Sequence, residues 1–325
     1  MQNPFVYAIY SHTNPDQVLR LVSAIRALSP RSHVVVHHDP SEPRLTAQDV
    51  ALAGGIMIPD PVPGAWGDYS QVRQHLHTMR WCLNNLDFEW YITLTGQTYP
   101  IKHLENFEAL LRDSPHDAYV LHFNAYDQSI WPNNEAARRY HYRYIELPRF
   151  PYWHKMPTAL SANTPRLIKL FNRSQPLLKI FPYPKRLPTR FGFLQWRRPF
   201  GTPIQLIGSN QNTNYNRHVL QHIVEYVDRH PEYARYFSKT ALPDEAFFST
   251  IVCNDLNIHV ANDSLRHIFW PGPNAASGGV MDMTQWQDLD ESPAYFALKF
   301  DQNICPELLN KIDCKLGIHS PSATD

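Results

Sequence analysis

The sequence lacks the features of a membrane-spanning or disulfide-rich protein. No stretch of 18 consecutive apolar residues occurs, and the first residues show neither the basic region nor the apolar core of a secretion signal. Only four cysteines are present, without CxxC spacing, which favours reduced thiols. We therefore expect a cytoplasmic protein, or one held peripherally at the inner face of a membrane.

Net charge is also absent, because 30 basic residues balance 30 acidic ones, but the charge is unevenly distributed. Residues 138–198 contain fourteen lysines and arginines and a single acid, Glu146. Such a patch suits an anionic membrane surface, an anionic acceptor or nucleic acid, and it could equally be a solvated face that is balanced elsewhere. No nucleic-acid-binding motif accompanies it, so we expect no nucleic-acid partner.

The order of apolar segments predicts an α/β fold. Residues 5–10 form a short buried strand, Pro15 opens a helix with apolar residues at helical spacing, and residues 34–39 form a second strand. This strand–helix–strand unit indicates an open, mostly parallel twisted sheet flanked by helices. Further strands are predicted at 55–58, 90–94, 118–123, 205–210 and 258–260, and a helix at 217–228.

Polar residues follow the first two predicted strands. Ligands bind beyond the carboxyl ends of the strands in open parallel sheets, so Ser11, His12 and Asp39 are candidate binding residues. His37 and His38 are adjacent on a strand, point to opposite faces and cannot chelate one ion together. The only Asp-x-Asp triplet, at 288–290, is expected on the surface. The sequence thus predicts no metal site.

Residues from about 127 to 200 interrupt the alternation of strands and helices. They are rich in proline, arginine and aromatic residues, and only one convincing helix is predicted, from about 164 to 178. We expect an irregular basic insertion in the fold.

The stretch 242–250 combines two acids with aromatic residues. Pro243 suits the first turn of a helix, and Asp244 and Glu245 would then lie at the positive end of the helix dipole, with Phe247 and Phe248 buried. A carboxylate held there could act as a general base for an alcohol. The alternative is that the two acids only cap the helix.

Six short motifs occur in a fixed order: VVVHHD at 34–39, WGDYS at 66–70, ITLTGQTYPIK at 92–102, GS at 208–209, PDE at 243–245 and FALKFD at 296–301. Together they resemble the core-2/I-branching β-1,6-N-acetylglucosaminyltransferases and the related peptide O-xylosyltransferases, over about residues 5–125 and 203–313. The resemblance implies a GT-A-like fold, a UDP-sugar donor, inversion at the anomeric carbon and independence from metal.

The resemblance also implies roles for individual residues. Glu245 matches the catalytic base, and Lys299, with Arg266 as a looser match, would neutralise the diphosphate in place of a metal ion. Asp39 would contact the uracil ring, although it could instead only close the turn before Pro40. Trp66 would lie near the nucleotide, with a core position as the alternative. Asp244, Gly208 and Ser209 would bind the acceptor or support the residues that do.

Three positions depart from the family pattern. Leu298 stands where relatives have an arginine, Thr98 where an aspartate is usual, and polar residues 210–214 follow Gly208–Ser209 where an aromatic is common. Donor sugar and acceptor therefore cannot be transferred, although GlcNAc or xylose is favoured.

We expect a single glycosyltransferase domain with a nucleotide-sugar half (5–125), the basic insertion (127–200) and a catalytic half (203–313). It would move a sugar to a glycan, lipid-linked or peptide acceptor, without a cofactor. The alternative is a non-catalytic module of the same fold that binds a glycan or a nucleotide. Joint retention of Glu245 and Lys299 favours the enzyme, because binding alone would not require both.

Overall fold

A computed structural model describes residues 4–41, 44–146, 158–181, 190–200, 204–272 and 277–318. Its strands are β1 Val6–Ser11, β2 His33–His38, β3 Ile56–Met57, β4 Trp90–Thr95, β5 Thr98–Pro100, β6 Ala118–Asn124, β7 Tyr142–Glu146, β8 Leu178–Phe181, β9 Arg190–Leu194, β10 Ile207–Asn216, β11 Val260–Ala261, β12 Arg266–Ile268 and β13 Phe296–Leu298. Its helices are α1 Pro15–Leu28, α2 Ala47–Leu52, α3 Tyr69–Asn85, α4 Leu104–Asp113, α5 Glu135–Tyr140, α6 Thr158–Ser174, α7 Arg217–Arg229, α8 Pro231–Phe237, α9 Phe247–Val252, α10 Trp286–Glu291 and α11 Pro306–Leu316.

The main sheet has seven strands in the order β11-β6-β10-β4-β1-β2-β3. Strand β1 runs parallel to β2 and to β4, β2 runs parallel to β3, and β6 runs parallel to β11. The central strands are continuous apolar runs because helices cover both faces, as α1 does with Val18, Leu21 and Ile25. The predicted α/β class with a mostly parallel sheet is confirmed.

Strand β10 is antiparallel to both of its neighbours, β4 and β6. Its register with β6 shifts between Ser209 and Thr213, as in a β-bulge. The Thr93 hydroxyl stabilises this irregularity, because it accepts the Thr213 amide at 2.7 Å and lies 2.9 Å from the Gln211 carbonyl. The strand start therefore lies beside the carboxyl ends of β4 and β6.

A second sheet, β12-β13-β5, carries the segment before Lys299. Strand β13 is parallel to β12 and antiparallel to β5, which follows β4 directly along the chain. Residues of β13 and α11 belong to the same apolar cluster as β1 and α1, so this sheet packs against the first strand–helix–strand unit.

The basic insertion is more regular than predicted. It contains α5, α6 and a third sheet of three antiparallel strands, β7-β9-β8. The helix predicted at about 164–178 begins earlier, at Thr158, and ends at Ser174, because Pro176 disfavours the helical conformation of the residue before it. Residues 147–157 and 182–189 of the predicted insertion lie outside the described residues.

One face of the third sheet packs on the residues before Pro243. Tyr142 and Tyr144 form a small apolar cluster with Ala241 and Leu242. Gly192 permits this packing, because a Cβ there would lie 2.6 Å from the Tyr144 ring. The insertion is therefore built against the stretch that carries the two candidate acids.

Two buried histidines make the fold sensitive to acid. Burial lowers the pKa of His37 to about 4 and that of His75 to about 3, whereas an unfolded histidine has a pKa of about 6.5. Below pH 6.5 only the unfolded chain takes up these protons, so the free energy of unfolding should decrease as the pH is lowered. The decrease due to His75 should reach about 3 kcal/mol by pH 4.

We expect His75→Phe to flatten this pH dependence, because the ring still stacks on Tyr10 as the imidazole does at 3.8 Å between centroids. Urea unfolding of both proteins between pH 4 and 7.5 measures it. Parallel curves for the two proteins would show that the fold does not lower the pKa of His75.

Candidate active site

The stretch 242–250 does not form the single helix that was predicted. Pro243–Glu245 is a 3-10 turn, Ala246 leaves the helical region with a φ of −142°, and α9 begins only at Phe247. Leu242 adopts a left-handed conformation, with a φ of 50°. Its amide donates to the Gly67 carbonyl (3.1 Å) and its carbonyl accepts the Tyr140 hydroxyl (2.8 Å), so contacts from distant segments override local helix preference.

Glu245 projects from this turn toward solvent. Its side chain is 30 % exposed, and Oε2 pairs with the Arg139 guanidinium from α5. Arg139 is fixed in turn, since its Nε donates to Glu135 at 2.7 Å and it lies 4.5 Å over the Trp131 ring. Burial alone would lower the pKa of Arg139, but the two carboxylates raise it. The site therefore contains a carboxylate oriented by a permanent cation.

Asp244 lies in the opposite environment. It is 6 % exposed, and its Oδ2 accepts the side-chain amide of Gln211. Within the described residues, Oδ1 has no hydrogen-bond partner. Burial and the neighbouring charge of Glu245 raise the pKa of Asp244 to about 7. Of the two adjacent acids, only Glu245 is accessible to a substrate.

Gly208 and Ser209 lie behind Asp244. A Cβ on Gly208 would approach the Phe123 ring to 2.6 Å, so the glycine allows close packing. Ser209 is buried and lines a cavity of about 10 Å³ together with Asp244, Gln211 and His75. Ser209 thus lies beside the turn beneath the surface, whereas Gly208 packs against Phe123 and Trp131.

The loop before α3 joins this turn through the backbone of Gly67. Asp68 caps α3 by accepting the Ser70 amide at 2.8 Å, and its other oxygen pairs with Arg190 of β9. Trp66 is 57 % exposed, which contradicts the alternative of a core position. Its indole is therefore available at the surface of this loop.

The residues predicted at the strand ends lie together at one edge of the sheet. The Asp39 amide donates to the Ser11 carbonyl at 2.9 Å, and the Ser11 hydroxyl lies 2.9 Å from His38 Nδ1. His12 is exposed beside them. Gly96 lies against the same edge, because a Cβ there would be 3.0 Å from that of Ser11.

Asp39 organises two loops. One carboxylate oxygen accepts the amide (2.9 Å) and hydroxyl (2.7 Å) of Ser41, and the other accepts the Gly64 amide (2.8 Å). Burial would raise the pKa of Asp39, but these hydrogen bonds outweigh it and hold the pKa below its ordinary value. The turn-closing role that was the alternative for Asp39 is therefore present.

His37 and His38 make separate contacts, and His37 Nε2 accepts the Val62 amide at 3.1 Å. Among the described residues, no group of three or more histidines, cysteines and acids is arranged to hold a metal ion.

Lys299 follows β13 and is half-buried. Gln17, only 1 % exposed, ties this segment to the turn after β4: its amide donates to the carbonyls of Gly96 (2.8 Å) and Phe300 (3.0 Å). Gln17 also accepts the Gln302 amide at 2.8 Å. In the described ranges, no acidic side chain pairs with the Lys299 ammonium.

Arg266, the looser match to a diphosphate-binding cation, lies between the second sheet and the main sheet. It is 8 % exposed, and its guanidinium donates to the Ser264 carbonyl (3.0 Å) and to Asn214 Oδ1 (2.9 Å) while lying 4.6 Å over the Phe296 ring. Burial lowers its pKa to about 9. Arg266 connects the second sheet to the main sheet, and its role toward the diphosphate stays a prediction.

The sequence reasoning missed the polar partners of the predicted residues. Arg139 and Arg190 come from the segment expected to be irregular, and Gln211 comes from a stretch treated only as a departure from the family. The one feature of the sequence that could have indicated these ion pairs was the concentration of arginines in residues 138–198.

Comparisons with known proteins address the family of the chain. Among solved structures, the chain is similar to the 4-diphosphocytidyl-2C-methyl-D-erythritolsynthase of Anaerococcus prevotii, with 9 % identity, 70 % of this chain and 77 % of that chain covered, and a TM-score of 0.30. No curated protein sequence matches significantly. The family model of the core-2/I-branching enzymes matches residues 5–292, which is most of the chain. The chain therefore belongs to the core-2/I-branching enzyme family, a family of glycosyltransferases.

Proposed function

We propose that this chain is an inverting glycosyltransferase that moves a sugar from a UDP-sugar to a hydroxyl of a glycan or related acceptor, without a divalent metal. GlcNAc and xylose are the donor sugars we favour. The observation that supports the proposal best is the solvent-facing Glu245 carboxylate, which Arg139 orients while its neighbour Asp244 is buried.

Glu245 acts as the general base in this proposal. Its Oε2 is occupied by Arg139, whereas no described residue donates to Oε1, so Oε1 is the oxygen that takes the proton of the acceptor hydroxyl. The acceptor oxygen attacks the anomeric carbon from the face opposite the diphosphate, and UDP leaves with the electron pair of the broken bond. Arg139 keeps the carboxylate in position but does not touch the reacting atoms.

Lys299 is the cation that balances the leaving diphosphate. A developing UDP anion gathers negative charge as the glycosidic bond breaks, and a fixed ammonium lowers the energy of that state. With Arg266 buried, Lys299 is the more exposed member of the predicted pair. The adjacent Leu298 supplies no second charge.

The nucleotide would lie along the edge formed by Ser11, His12 and Asp39. Asp39 is ionised, and an Asp39 oxygen that already accepts a backbone amide still has a lone pair for a ring N–H of uracil. Trp66, exposed on the loop that also carries Gly64, offers an aromatic face beside that position.

Contact with an anionic membrane is a further part of the proposal, through one face of α6. Arg166, Lys169 and Arg173 are exposed there beside the exposed Leu167 and Leu170. Basic and apolar side chains on one helix face suit the surface of an anionic bilayer. In the part of the chain that the structure describes, no helix combines the length and the apolar character required to cross a bilayer.

Glu245→Gln should lower kcat by at least 10²-fold, because glutamine keeps the contact with Arg139 but cannot accept the proton. The measurement is UDP release from UDP-GlcNAc and UDP-xylose, beside the melting temperature. UDP affinity and the melting temperature should hardly change. Glu225→Gln, on α7 and also paired with an arginine, is the matched control. Near-normal kcat with a lowered melting temperature would instead assign Glu245 a structural role.

Lys299→Ala should weaken UDP binding by about 1.5–3 kcal/mol, the range for a charge-assisted hydrogen bond. Calorimetric titration of UDP in excess EDTA measures this and tests metal independence together. Lys311→Ala, on α11, should bind like the wild type. Wild-type binding that requires added manganese would contradict the metal-free arrangement, and unchanged binding by Lys299→Ala would contradict the role of this lysine.

The α6 face should bind vesicles that contain phosphatidylglycerol at low salt, and binding should weaken steeply as the salt rises, since charges are screened within about 8 Å at physiological ionic strength. Co-sedimentation of the wild type and of the Arg166→Gln, Lys169→Gln, Arg173→Gln triple variant measures this. Equal binding by both proteins, or none at low salt, would remove the membrane contact.

A further inference from the structure

Two aspartates have little exposed surface but receive different numbers of hydrogen bonds, and Asp244 lies deeper than Asp39. Asp39, 4 % exposed, accepts three, from two loops. Asp244, 6 % exposed, accepts one, from Gln211, and its second oxygen lies buried without a partner among the described residues. An ionised carboxylate removed from water needs several donors or a cation, and otherwise takes up a proton. Asp39 meets this requirement, and Asp244 does not.

We propose that Asp244 works as a neutral carboxylic acid that fastens the Pro243–Glu245 turn to strand β10 without placing a second negative charge beside Glu245. Its Oδ2 accepts the Gln211 amide, and its Oδ1 carries the proton. Asp244 is thus a positioning residue. The part of this inference that concerns activity rests on the role of Glu245 proposed above.

A small cavity of about 10 Å³ adjoins Asp244, and Ser209 and His75 add polar groups to its wall. None of the described residues that line this cavity is a lysine or an arginine, so no cation balances an ionised Asp244 on this side.

Two charged groups act on Asp244 in opposite directions. Glu245 follows it on the same turn and raises the pKa of Asp244 by repelling a second negative charge, and this outweighs the attraction of Arg139, which already pairs with Glu245 and Glu135. His75 of α3 is neutral because burial lowers its pKa to about 3, and Tyr140 of α5 is neutral because burial raises its pKa. Helix α9 carries no ionisable residue.

A neutral Asp244 limits the pH range in which Glu245 is correctly held. Burial and the charge of Glu245 raise the pKa of Asp244 to about 7, so the proton is lost just above neutrality. The new charge then competes with Glu245 for Arg139. The orientation of the base is weakened, and kcat falls as pH rises above about 7.

Asp244→Asn tests the inference because asparagine copies the neutral acid. An acid with a folded pKa of about 7 and an unfolded pKa near 3.9 stabilises the fold at low pH and loses that effect as pH rises to 7. The folding equilibrium constant of the wild type, relative to Asp244→Asn, should therefore fall about tenfold per pH unit from pH 4 to 7 and then level off. Asp288→Asn, exposed on α10, should parallel the wild type.

This stability measurement reports the protonation of Asp244 whether or not the chain transfers a sugar. Wild-type and Asp244→Asn curves that stay parallel would overturn the inference, even if Glu245 were the base. In activity, the kcat of Asp244→Asn should lack the decline of about tenfold per pH unit that the wild type shows above pH 7. An inactive but folded Asp244→Asn would overturn the inference as well.

Gln211→Leu provides a second variant if Asp244→Asn does not fold. The Gln211 hydrogen bond favours the ionised form of Asp244, so its removal should raise the pKa of the acid. The alkaline decline in kcat and the end of the stability slope should both move to higher pH. A shift to lower pH, or none, would contradict a protonated Asp244.

Discussion

Strand β10 lies between β4 and β6 and runs against both, and its bulge determines what lies beside the two acids. The Thr93 hydroxyl forms hydrogen bonds with backbone groups of β10 at the register shift. The bulge brings Gln211 to Asp244, while Asn214 farther along the strand receives Arg266. One irregular strand in a mostly parallel sheet therefore positions both the buried acid and the arginine that connects the two sheets.

The basic segment contributes structure as well as surface charge. Arg139 and Arg190 are largely buried, and each pairs with an acid of a candidate site loop, Glu245 and Asp68. A buried pair of this kind does not by itself stabilise the fold much, since desolvation offsets most of the attraction, but it fixes the geometry of both partners. The basic residues of α6, by contrast, are exposed and available to an anionic surface.

The sequence allowed the centre of the main sheet to be predicted because strands buried on both faces leave apolar runs, as β1, β2 and β4 do, whereas β6 is buried only over its first three residues. The turn at Pro243 could not be predicted, because its conformation depends on Tyr140 and Gly67, which are far away in the chain. The burial of Arg266 could not be predicted for a related reason: a motif shows that an arginine is present but not whether its guanidinium faces solvent. Arg139 was missed because its partner lies 106 residues later.

Gln17 has a consequence for synthesis of the chain. Its side chain hydrogen-bonds to the Gly96 turn and to the backbone of Phe300, which lies 283 positions after Gln17 in the sequence. A nascent chain can assemble the first strand–helix–strand unit early, but this amide finds its last two partners only after residue 302 has left the ribosome. Until then the Gln17 side chain has only its Gly96 partner, and the segment that carries Lys299 is not yet tied to the turn after β4.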